Sequence, residues 1–99
     1  MHRPLGISST MFAEQFTDEN LQAAAAAGIE TLEVYVPVDG ELYGDDATVA
    51  RVGRAVERAG LSVWSIHAPF GGVVDLSAPD ELQRRQSVGA VERAAGLYC

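Results

Sequence analysis

Cysteine is almost missing from this 99-residue chain, in which Cys99, the last residue, is the single one. One thiol excludes an internal disulfide framework and a cysteine-based metal cluster. Long apolar runs are missing too: no stretch approaches the roughly 20 consecutive residues that span a bilayer, so no membrane helix is expected. Met1-His2-Arg3-Pro4 leads into a short Leu5-Gly6-Ile7 run with no long apolar core and no small-residue cleavage site. That argues against a secretory leader and for a cytoplasmic setting, with His2 disordered at the chain end. Basic residues are outnumbered 7 to 14 by acidic ones, a net charge of −7. Lys and Arg supply most non-specific affinity for phosphate backbones, so nucleic acid is a poor partner and a small substrate a better one. A solvated acidic surface would explain the same balance. Gly71-Gly72 has neither the Lys-Ser/Thr of a phosphate-cradling loop nor a dinucleotide glycine spacing, and no nucleophile elbow is present.

What is present is a globular composition: 47% hydrophobic residues with only four prolines, enough to bury one modest core. A repeat organises it. Ala27-Gly28-Ile29, Ala59-Gly60-Leu61 and Ala95-Gly96-Leu97 recur at spacings of 32 and 36 residues. Glycine favours the left-handed position just past a helix, and a βαβ unit takes about 30 residues, so each triplet marks a helix running into a strand. The first strand is placed at 5–9 and the first helix from a Thr17 cap, with Asp18 and Glu19 in its opening turn, to Ala27. The second strand is 31–36. The second helix runs from near Asp46 to Ala59, with Val49, Val52 and Val56 as its apolar stripe. The third strand is 61–67. The third helix starts from a Ser77 cap, with Pro79 in its first turn and Asp80 three residues after the cap, and presents Leu82, Val88, Val91 and Ala95. Residues 96–99 would open a fourth strand. Alternating strands and helices predict a parallel sheet with right-handed crossovers.

Functional groups in such folds collect at the carboxyl ends of strands. Alternation in the second strand sends Leu32, Val34 and Val36 toward the helices and Thr31, Glu33 and Tyr35 to the other face. A carboxylate there calls for a cation, a metal or a hydroxyl-rich ligand, or else an internal ion pair or solvent. The same alternation in the third strand sends Trp64 and Ile66 toward the helices and Val63, Ser65 and His67 to the Glu33 face. His67 could then ligate a metal, take a proton or hydrogen-bond a hydroxyl, unless it is structural. Ser8 and Ser9 either line the same mouth or form a turn. Glu14, Asp18 and Glu19 serve a helix start. Asp39, Glu41, Asp45 and Asp46 form a solvated acidic loop, in which Tyr43 could reach a substrate.

Three segments carry a family likeness: Gly28-Ile29-Glu30-Thr31-Leu32-Glu33-Val34, Ser65-Ile66-His67-Ala68-Pro69-Phe70 and Asp75-Leu76-Ser77-Ala78-Pro79-Asp80. Together they resemble the xylose isomerase-like barrel superfamily, which includes sugar phosphate isomerases and epimerases and the endonuclease IV enzymes. The likeness spans nearly the whole chain. It implies that residues 1–99 are the N-terminal part of a (β/α)8 TIM barrel, a partial barrel of three βα units and the start of a fourth strand. A complete barrel takes about 250 residues. In the intact barrel it implies a divalent ion (Mn, Mg, Co or Zn) held by later strands and proton transfer beside a carbonyl of a small sugar or polyol.

Glu33 and His67 match early-strand, substrate-side positions of that family, so both are expected to bind substrate. No catalytic acid/base pair and no metal ligand is assigned within the chain. About three protein ligands are needed to hold a catalytic metal, so the chain alone is expected neither to bind one nor to isomerise sugar. Two alternatives stand beside this reading. In one the chain is a fragment of an endonuclease IV-like zinc phosphodiesterase, in which His67 would be a zinc ligand. In the other it is a non-catalytic truncated or split-barrel piece. A free three-unit sheet is expected to self-associate through its open edges.

Overall fold

The computed structural model describes residues 2–13, 15–72 and 74–96, without the side chain of residue 41. The order is β1 (Gly6–Ser8), a 3-10 turn (Ser9–Phe12), α1 (Asp18–Ala26), β2 (Thr31–Tyr35), α2 (Glu41–Gly44), α3 (Asp46–Arg58), β3 (Ser62–His67) and α4 (Glu81–Gly96). The strands form an open three-stranded sheet in the order β1-β2-β3, parallel throughout. The protein is therefore a mixed α/β chain with a parallel open sheet. The expected fourth strand lies outside the described residues except for Gly96, which ends α4.

Local chemistry sets the helix ends. The Asn20 amide donates to the Thr17 hydroxyl at 3.1 Å, so Thr17 caps α1, with Asp18 and Glu19 in the positive first turn. At the other end Gly28 takes φ 93°. There the Ile29 amide reaches the Ala24 carbonyl at 3.1 Å and the Gly28 amide the Ala25 carbonyl at 3.0 Å. Gly60, at φ 77°, repeats this after α3: Leu61 bonds back to Val56 at 3.1 Å and Gly60 to Glu57 at 2.9 Å. Both are Schellman ends, in which a left-handed glycine turns the last carbonyls onto the next amides and aims an apolar residue into the core.

That core fills one side of the sheet. Leu32, Val34 and Val36 are buried against Leu21 and Ala24 of α1 and Val52, Ala55 and Val56 of α3, with Leu42 and Leu61 closing it. Val49 is partly buried beside them, so the valine stripe of α3 faces inward as its spacing predicts. An Arg58–Asp18 ion pair of 3.0 Å links α3 to α1. Both side chains are more than half exposed, so it adds little. Among the described residues, no helix covers the opposite face of the sheet. The radius of gyration, 14.8 Å, exceeds the roughly 13 Å of a closed 100-residue domain.

Several expectations need correction. The first strand is shorter, because the Ser8 hydroxyl accepts from the Thr10 amide and starts the 3-10 turn at Ser9. The third helix begins at Glu81 rather than after Ser77. Asp75 ties Ser77 into a local turn, taking its amide at 2.9 Å and its hydroxyl at 2.7 Å. Asp80 then accepts from the Gln83 amide at 2.8 Å and does the capping. The apolar stripe expected on that helix is not its packing face either. Ser87, Ala90 and Ala94 are buried, while Leu82 is 65% exposed and Val88 42%. Small side chains at i, i+3 and i+7 give a flat face, and Ser87 anchors the preceding loop by accepting from the Asp75 amide at 2.7 Å.

His2 has a partner in the structure: its Nε2 lies 2.8 Å from the Glu30 carboxylate, both side chains being exposed. The acidic loop contains a short helix, α2, that was not expected. Its Tyr43 carbonyl accepts from Arg93 Nε at 2.6 Å, and the guanidinium sits 5.4 Å from the Tyr43 ring centroid, a structural use of that tyrosine. Glu14 lies outside the described residues.

Two aspartates couple this architecture to pH. Asp45 caps α3, and hydrogen bonds from the Thr48 hydroxyl and the Ala47 amide hold its carboxyl below the ordinary 3.8. The Ser77 hydroxyl and amide do the same for Asp75. A carboxyl that is more acidic when folded stabilises the fold above its unfolded value and loses that contribution as pH falls through the folded one. The chain should therefore melt at steadily lower temperature once pH drops below about 4. Asn caps as well as Asp but does not titrate, so Asp45→Asn should flatten this acid dependence. Parallel thermal melts of the two proteins at falling pH check it, and identical slopes would count against the assignment.

Candidate functional site on the open sheet face

The uncovered face of the sheet collects the polar strand residues. Strand pairing sets Ser8 beside Glu33, Glu33 beside Ser65, and Tyr35 beside His67. Paired residues in adjacent strands point the same way, so Ser8, Glu33, Tyr35, Ser65 and His67 share one face. The expectation for Glu33 and His67 is met in that respect: both strands bring them to the same surface, His67 at the carboxyl end. The Ser65 hydroxyl donates to Glu33 Oε2 at 3.2 Å, which orients a half-buried carboxylate.

Glu33 lies in a depression of about 260 Å³ lined by Gly6, Ile7, Ser8, Thr31, Trp64 and Ser65. Hydroxyls, a carboxylate and an indole are the donors, acceptors and flat apolar surface that a polyhydroxylated ligand would meet. Ser9 does a different job. It is fully buried, and its hydroxyl accepts from the Tyr35 amide at 2.9 Å, tying the end of β1 to the end of β2.

His67 sits in a ring cluster, 5.1 Å from the Tyr35 centroid and 4.9 Å from Phe70, with Tyr35 and Phe70 5.7 Å apart. Its Nδ1 lies 2.8 Å from the Ala68 carbonyl. A carbonyl oxygen only accepts, so Nδ1 carries the proton, and in the neutral ring the Nε2 lone pair is left for a ligand. Glu33 and His67 belong to adjacent strands two rungs apart and bond to different partners, so they do not form a hydrogen-bonded pair. Among the described residues, no three His, Cys, Asp or Glu side chains group as a metal site would require.

Trp64 is the member of this face that alternation misassigns. Leu32 pairs with Val63 and Glu33 with Ser65, so Trp64 is an extra residue on β3 with no partner on β2. Such a bulge shifts the phase of a strand by one. Val63 consequently shares the helix side with Leu32, and Trp64 turns to the Glu33 side, where it lines the depression at 73% exposure. Beyond the bulge Ser65, Ile66 and His67 return to their expected sides. No residue in Ser62–His67 announces a bulge, since neither glycine nor proline occurs there.

No helix among the described residues is long and apolar enough to cross a membrane. Comparison of the chain with protein-family models, curated proteins and solved structures returned no match.

Proposed function

We propose that this chain forms part of a (β/α)8 barrel of the xylose isomerase-like kind, a cytoplasmic sugar phosphate isomerase or epimerase whose substrate lies against the Glu33 face. The observation that supports it is the juxtaposition of Glu33, Ser65 and His67 on one uncovered face of a parallel sheet. The open face fits a barrel interior: Trp64 is largely exposed, and β1 and β3 each have a single neighbour among the described strands. In the complete barrel further strands would cover Trp64, and in their absence the same edges would let copies associate.

On this reading Ser65 holds the Glu33 carboxylate, which accepts hydrogen bonds from sugar hydroxyls, while Nε2 of His67 accepts from another. Trp64 offers its ring to the less polar side of the sugar. The described residues do not assemble the ligand set of a divalent ion, so no step through one is derived from them. The family's proton transfer beside a carbonyl belongs to the barrel as a whole. A zinc phosphodiesterase on DNA is less well supported, because acidic residues outnumber basic ones two to one.

The test uses Trp64, the only tryptophan in the sequence, as the reporter. Adding a pentose or its phosphate should change its fluorescence and shift the amide resonances of Ser8, Glu33, Ser65 and His67, with millimolar affinity. Glu33→Gln keeps the shape but halves the acceptor strength, and should weaken binding about three- to tenfold, the scale of half of one charge-assisted hydrogen bond. Unperturbed spectra at saturating sugar would remove the proposal.

A further inference from the structure

A second concavity lies away from the Glu33 depression. It is a cleft of about 530 Å³ at the carboxyl end of β2, between the segment entering α1, the loop from Pro37 to Gly40 and residues Arg51 and Val52 of α3. It shares no lining residue with the Glu33 depression. Its volume lies within the range of small-molecule sites, which combine an apolar floor with a few polar groups at the rim. Phe16, Leu42 and Val52 make that floor, each buried in the core, so the floor is held by packing.

The charged rim is asymmetric. Arg51 lines the cleft but is already engaged by another group of the protein. Asp39 lines it too, is exposed, and makes no hydrogen bond or ion pair among the described residues. Asp39 is thus the rim charge without a partner among the described residues, and the net charge of −7 adds a field that draws cations toward the surface. We propose that this cleft binds a small organic amine with an apolar body, the body on Phe16, Leu42 and Val52 and the ammonium at Asp39. An ammonium donates up to three hydrogen bonds and matches a carboxylate that has none, while an aromatic or branched body displaces water from the floor. The cleft and the Glu33 face adjoin at Tyr35, which lines the cleft and packs on His67.

Three probes with one shared body separate charge from shape: phenethylamine, 2-phenylethanol and phenylacetate, each titrated into the full chain and followed by amide resonances. Phenethylamine should perturb Phe16, Asp39, Leu42 and Val52 and bind about fivefold tighter than the alcohol, the upper end for an exposed ion pair. Phenylacetate should bind weakest. Asp39→Asn, at an exposed position where the fold is not at risk, should bring the amine down to the level of the alcohol and leave the alcohol unchanged. Tightest binding by phenylacetate, an amine affinity untouched in Asp39→Asn, or silence of the cleft resonances at the solubility limit of the amine would each overturn the proposal. So would perturbations confined to Glu33 and Trp64, which would move the amine to the other face and leave the sugar reading to its own test.

Discussion

Replacing Leu32 with alanine will cost about 2–5 kcal/mol, the range for deleting a fully buried leucine side chain and leaving part of its cavity open. Leu32 is 0% exposed on the central strand, with α1 and α3 packed against its side of the sheet. A chain of this size has only about 5–15 kcal/mol of stability in total, so the loss is a large fraction of it. The control lies on the same rung and the same side: Val63 pairs with Leu32 yet is 42% exposed. Val63→Ala should cost under about 1 kcal/mol, because much of its surface is already in water. Urea titrations of the two variants, compared at equal m-value, make the measurement. Equal losses would mean that β3 is covered in solution, and that the open edge is already paired with another copy.

Gly6→Ala should cost about 1–3 kcal/mol, although Gly6 is exposed and alanine is the smallest side chain available. A Cβ at this position would stand 2.5 Å from Thr31 Oγ1 and 3.3 Å from the Thr31 carbonyl. Gly6 and Thr31 are register partners, so relieving the clash means parting β1 from β2 or turning Thr31 out of its rotamer. Removing the hydroxyl relieves the first contact. Thr31→Ala in the Gly6→Ala background should therefore recover part of the loss, a coupling that a double-mutant cycle reads directly. If the two changes simply add, the contact does not set the spacing of the strands.

The two variants share a lesson about what can be read from residues in order. Leu32 was legible as a core position because alternation over Thr31–Val36 depends only on the geometry of an extended chain. Gly6 was not, since nothing near it in sequence reveals that Thr31 lies opposite. The candidate site divides the same way. Glu33 and His67 could be assigned to one face by counting along each strand, because the register of β2 and β3 keeps both counts in phase at the carboxyl end. Trp64 was sent to the wrong face because the extra residue of the bulge is accommodated in the pairing with β2, not in β3 itself. The cleft beside Asp39 was invisible, being built from residues 13 to 52 that only the packing of α1, α2 and α3 brings together.

By itself, then, the sequence determined what short-range stereochemistry decides: the Thr17 cap, the left-handed turns at Gly28 and Gly60, the inward valines of α3, and the alternation of βα units that makes the sheet parallel. The tertiary structure alone decided which face α4 packs inward and to which side Trp64 turns. Asp80 caps α4 because Asp75 holds Ser77 in a turn, and Ser87, Ala90 and Ala94 become its packing face although Leu82 and Val88 are the more apolar residues. A cap or a glycine turn is settled within about six residues by hydrogen bonds the segment makes with itself. A buried face is settled by what stands opposite, and that partner is distant in sequence.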